Sequence, residues 1–133
     1  MQPLVLQWPG GEHAFRLGLS ELETIQQKTD CGPEFLLHRI NVGQWHIGDL
    51  MEILRNGLIG GGMHHVDALK VVRKAFDVHP HILFKVPAQA VLAACLFGPP
   101  DDRPGEDSPA GDPTQNGSSA DGGSSASITA SGP

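Results

Sequence analysis

Tyrosine is absent from this 133-residue chain, and aromatic residues of all kinds make up only 5% of it. Its core must therefore rest on aliphatic side chains, with few large anchors. Cysteine is scarce too, with only Cys31 and Cys95. That excludes a disulfide-stapled scaffold, and their spacing fits no zinc module. Positive charge is short: 9 Lys+Arg stand against 15 Asp+Glu, a formal net charge of −6. A sequence-independent nucleic-acid binder needs a basic face to displace counterions, so this balance argues against one. It argues equally against attachment to an anionic membrane. Val91-Leu92-Ala93-Ala94-Cys95-Leu96-Phe97 is apolar on every side but too short to span a bilayer. Such a helix is either central or faces a partner.

What is present fits one small domain followed by a tail. Residues 98–133 hold six acidic residues and a single base, Arg103, with seven Gly, six Pro and seven Ser. Apart from four alanines, Ile128 is the only aliphatic residue there. Such a segment buries too little apolar surface to offset the entropy of ordering, so 98–133 is expected to be a disordered acidic tail. Residues 1–97 are nearly neutral, with nine acids and eight bases, and contain all seven histidines. The opening, Met1-Gln2-Pro3-Leu4-Val5-Leu6, lacks the basic start and long apolar run of a signal peptide. Export is therefore not expected, and the cysteines should stay reduced.

The expected fold is α+β and mostly α: an N-terminal β-hairpin packed on about five short helices. Leu4-Val5-Leu6-Gln7-Trp8 reads as a strand, Pro9-Gly10-Gly11-Glu12 as a turn, and His13 to Leu17 as the returning strand. The hairpin spans 4–17, with Phe15 and Leu17 on one face. Ser20 and Glu23 have the spacing of a capping box, predicting a first helix over 20–29 that ends at Asp30-Cys31-Gly32. Pro33 suits the first turn of a second helix over 33–41. Leu50, Ile53, Leu54 and Leu58 form a helical stripe for a third helix over 48–59. A fourth spans 65–77, with Val66, Leu69, Val72 and Phe76 inward and Lys70, Arg73 and Lys74 toward water. A fifth spans 81–97, where Pro87 predicts a kink or a start at that residue.

No motif commits the chain to catalysis. Gly60-Gly61-Gly62 invites a phosphate-loop reading, but Met63-His64-His65 stands where Lys-Ser/Thr should follow, and no strand precedes it. A helix stop is the better reading. His64-His65 and His79-Pro80-His81 lack any accompanying His-Glu-x-x-His or Cys-x-x-Cys, and read as surface or helix-end residues. Cys95 sits in the most apolar stretch and reads as a small core residue. Cys31 lies in a turn with no activating pattern around it. Glu21, Glu23, Asp49 and Glu52 are expected on helix surfaces and give no acid–base pair. No enzyme activity, metal or cofactor is expected.

The run from Trp45 to Met63, with Gly57-Leu58-Ile59-Gly60-Gly61-Gly62 at its end, resembles the central signature of the gene-transfer-agent family of phage tail assembly chaperones. Residues 11–25 resemble that family's opening strand and first helix. Asp77-Val78-His79-Pro80 resembles the step before its last helix, and Ala88 to Pro100 resembles the Ala-rich helix ending in Phe-Gly-Pro. The likeness covers 10 to about 102 in order; Pro87 and the long tail depart from it.

The resemblance implies a chaperone in a bacterial host's cytoplasm, with the particle as the other place to find it. It would bind the tape-measure protein during tail assembly, with the tail tube protein as a further partner, and would then be shed. The alternative is a structural tail component retained in the particle. Neither role involves nucleic acid or membrane, and self-association stays open. The candidate partner-binding residues are Trp45, Leu58, Ile59, Val91, Leu92, Leu96 and Phe97, together with the hairpin edge between Leu4 and Leu17, which can add a strand to a partner. Trp45 and the Val91–Phe97 helix also read as core. A helical regulator using Lys70, Arg73 and Lys74 is the nucleic-acid reading, which the acidic balance disfavours.

Overall fold

The chain opens with a tight hairpin. Strand β1 (Leu4–Trp8) pairs antiparallel with β2 (Gly11–Phe15), so that Leu4 faces Phe15 and Trp8 faces Gly11 across the Pro9–Gly10 link. A computed structural model describes residues 2–98. The segment expected to be a disordered tail lies outside the described residues, apart from Gly98. Alternation puts Leu4, Leu6 and Trp8 on the inner face with Phe15 and His13. Trp8 packs edge-on against Phe15 and Phe84, and its indole N–H donates to His13 Nδ1 at 2.9 Å. The second strand ends at Phe15, short of Leu17, because the Arg16 amide turns away to donate to the Gly57 carbonyl at 2.9 Å. Leu17 is still buried.

Five helices follow: α1 (Leu19–Thr29), α2 (Pro33–Asn41), α3 (Ile47–Gly60), α4 (His65–Val78) and α5 (Lys85–Phe97). Helix α1 begins earlier than the expected capping box. Its cap is Gly18, whose amide donates to Glu21 Oε1 at 2.8 Å. Ser20 is already inside the first turn, where its carbonyl accepts from Thr24 Oγ1. The carboxylate three residues past the true cap, Glu21 and not Glu23, therefore completes the start. The helix ends at Asp30, which adopts a left-handed φ of 58°.

Helix α3 is the hub. It packs against α1, α4, α5 and β2, and Leu50, Ile53, Leu54 and Leu58 are all buried, as their spacing predicts. Its end is more than a stop. A Cβ on Gly60 would overlap the Arg16 carbonyl, and one on Gly61 would overlap the Ala14 carbonyl. The bare backbone lets the helix end rest directly on β2.

Helix α4 keeps Val72 and Phe76 inward as expected, but the other half of its expected inner row turns out. Val66 and Leu69 face outward, each 43% exposed, while Ala68, Val72, Ala75 and Phe76 face inward. That inner row also has helical spacing, and its alanines permit a close approach to α3. Lys70, Arg73 and Lys74 are exposed, as expected. His64 caps the helix, its Nδ1 accepting from the Val66 amide.

The last helical span is divided. A 3-10 turn (His81–Phe84) precedes α5, which starts at Lys85 and so places Pro87 in its first turn. Proline has no amide hydrogen to lose there, so the break falls before Pro87 and the helix runs on through it. Phe84 in the turn stacks on Phe76 with ring centroids 3.8 Å apart.

Candidate interaction surfaces

Chemistry at this surface would need titratable groups brought together. Asp49, expected on a helix surface, is 3% exposed. It sits in the first turn of α3, where its Oδ2 accepts from the His46 amide at 2.8 Å. Arg39 of α2 grips the same carboxylate with two N–H groups, at 2.8 and 3.1 Å. The hydrogen bond to Asp49 holds the Arg39 guanidinium above its ordinary pKa, against the opposing effect of burial. The two Arg39 contacts fix α2 to the start of α3, and the His46 contact caps α3 itself, a structural clamp. Glu52 is bound to Arg55 and to the buried Asn56 amide.

Among the described residues, no group of three or more His, Cys, Asp or Glu side chains is placed to hold a metal ion. His64 stacks on His65, and the His81 ring nitrogen lies 3.0 Å from the Phe76 carbonyl. Both cysteines are free thiols, each half-buried. Burial pushes the Cys95 thiol up, away from nucleophilic use at neutral pH. Two clefts border α4. One, of about 220 Å³, is lined by residues that include Arg73, Asp77 and His81; the other, of about 280 Å³, by residues that include Lys74 and His79. Neither joins a nucleophile to a base, and both fall below the usual size of ligand pockets.

The surfaces able to meet another protein are therefore the matter of interest. Of the seven expected contact residues, Leu58, Val91 and Leu92 are core, between 0% and 2% exposed. The fold brings them together where α3 and α5 pack. Trp45, Ile59 and Leu96 are half-buried and lean on that core. Phe97 alone among the seven is well exposed, at 74%. Other exposed apolar side chains carry no recognisable motif. Ile82, Leu83 and Val86 lie within one turn of the α5 start, and each is at least half exposed. Their only signal is the i, i+4 spacing of Ile82 and Val86.

The hairpin has two edges, and they differ. The β2 edge is closed by the end of α3 through the Arg16–Gly57 bond and the Ala14–Gly61 contact. β1 touches α5, but its outer edge has no strand paired with it, since the sheet has two strands. No helix among the described residues is long and apolar enough to cross a membrane.

A family model described as phage tail tube protein, GTA-gp10, matches residues 3–98, a span that takes in every element of the fold. No curated protein and no solved structure matches the chain.

Proposed function

The chain belongs to the family of the phage tail tube protein GTA-gp10, and from that premise we propose that it is a non-catalytic structural component of a phage-like tail, associated with the particle. The observation that carries this reading is the extent of the family match, which covers the whole described domain. The surfaces support it: apolar side chains are exposed on several elements, while the buried ionic groups serve packing. The family description favours this role over the chaperone that the motif resemblance suggests.

One observation favours the chaperone as a second reading. The only sheet among the described residues has two strands of five residues each. A tail-tube subunit is usually a β-rich ring-former, and an isolated two-stranded hairpin is little strand for that role. A small helical protein that binds the tape-measure protein during assembly, with the tail tube protein as a further partner, and then leaves fits this architecture.

Mass spectrometry of purified particles, paired with affinity capture of the tagged full chain from a particle-producing lysate, separates the roles. Fixed stoichiometry in finished tails supports the structural component. Capture of the tape-measure protein, with the chain absent from finished tails, supports the chaperone. Recovery of no tail protein in either experiment would defeat both.

A further inference from the structure

Strand phase shows which backbone groups are left over at the hairpin. Arg16 sends its amide away from β1, to Gly57, and the Ala14 carbonyl meets Gly61. Even-numbered residues of β2 thus face away from the ladder. In an antiparallel pair, two directly opposed residues share this state. Val5 lies opposite Ala14, and Gln7 opposite Glu12. Val5 and Gln7 therefore turn their N–H and C=O groups to the far side of β1. No backbone hydrogen bond reaches them there from the other described residues. Both side chains are exposed, Val5 at 60%.

Edge strands are normally blunted by charge, bulges or cover. Leu4–Trp8 contains no charged residue, and its pairing with β2 runs without a bulge. What limits it is length. Pro3 holds the next outward position on one side, and the Pro9–Gly10 link closes the other. An occupant can engage only two residues in full, so a long foreign strand gains nothing from its extra length.

We propose that the outer edge of β1 pairs antiparallel with the same edge of a second copy of this chain, giving a four-stranded sheet in the order β2–β1–β1–β2 across a two-fold axis. With the axis at Leu6, Val5 of each copy faces Gln7 of the other, and the pairs exchange about four main-chain hydrogen bonds. The match is complete, because each copy offers the same two residues between the same two stops. The pairing also places the half-buried Leu4 and Leu6 of both copies on one continuous inner face. A strand without charge brings no like-charge repulsion to the contact. The inference holds for either tail role.

The test uses the full chain. Sedimentation equilibrium should show a dimer, and the Val5 and Gln7 amides should become protected from hydrogen exchange as concentration rises. Val5→Pro removes an outward N–H and leaves the ladder to β2 intact, so dimer affinity should fall about tenfold or more. Val5→Lys, which keeps the amide and adds a charge to the edge, should also weaken the dimer and guards against a proline effect on folding. A chain that stays monomeric at millimolar concentration would overturn the proposal. So would a dimer that ignores both substitutions and leaves these two amides exchanging freely. Protection seen only on adding purified tape-measure protein would assign the edge to a foreign strand and refute the two-fold pairing.

Discussion

The Arg16 amide donates to the Gly57 carbonyl at 2.9 Å, joining the end of β2 to the last turns of α3. Around that bond the two backbones lie so close that Gly60 and Gly61 have no room for a side chain. The hairpin, marginal as an isolated unit, is held on the helices by this seam and by its apolar inner face.

Gly60→Ala is therefore expected to destabilise the domain by about 2–3 kcal/mol or more, since the new methyl meets backbone that cannot swing aside. Gly48→Ala, in the first turn of the same helix, has nothing within 4 Å of the added carbon. It should be neutral or stabilising by up to about 1 kcal/mol through helix propensity. Urea unfolding of both variants, followed by circular dichroism, checks the contrast; equal effects would refute the seam.

Asp49→Asn should cost about 2–3 kcal/mol, because it leaves the Arg39 guanidinium without its anion in a partly buried site. The pKa of Arg39 is raised in the folded state. Its stabilising contribution is then complete below the ordinary arginine range and is lost only as pH climbs through the still higher folded value. The stability gap between the native chain and Asp49→Asn should thus hold steady from pH 6 to 10. Denaturation curves across that range measure it directly.

Cys95 supplies a second pH-dependent contribution to stability. Its thiol is raised by burial, so the folded state holds the proton more tightly than the unfolded chain does. The associated stability is fully present below the ordinary thiol value of about 8.5 and is lost as pH rises through the folded value. Cys95→Ala should flatten the fall in melting temperature above pH 8.5. At pH 8, mapped iodoacetamide labelling of the native chain should modify Cys31 before Cys95.

Pro87→Ala should change stability by less than about 1 kcal/mol. Its position in the first turn of α5 spares a helical hydrogen bond, and alanine restores only some freedom to the unfolded chain. Thermal unfolding decides this. A gain of several kcal/mol would mean that the proline strains the helix after all.

Local chemistry was enough to locate most elements and to orient some of them. The Leu50–Leu58 stripe fixed the buried face of α3, because helical periodicity is a property of the segment itself. Pro33 marked the start of α2 for the same local reason. On α4 this reasoning held for Val72 and Phe76 and failed for the other half of the expected row. Two inner rows were available, and choosing the larger aliphatics put Val66 and Leu69 on the wrong side. Hydrophobicity favoured that row, but the close approach to α3 favoured the alanines. The same packing divides the expected partner surface. Leu58, Val91 and Leu92 are as apolar as any contact residue would be, and the packing of α3 on α5 buries them.

By itself, then, the sequence determined a small, mostly helical domain opened by a hairpin, through periodicity, turn residues and proline placement, all acting within a few residues. Only the tertiary structure decided that Asp49 is clamped by Arg39, that Gly60 and Gly61 carry a strand on their backbones, and that one hairpin edge is closed while the other stays open. Each of these depends on a partner in another element of the fold. Such a pairing is selected by the combined packing of the elements and has no signature in either segment alone.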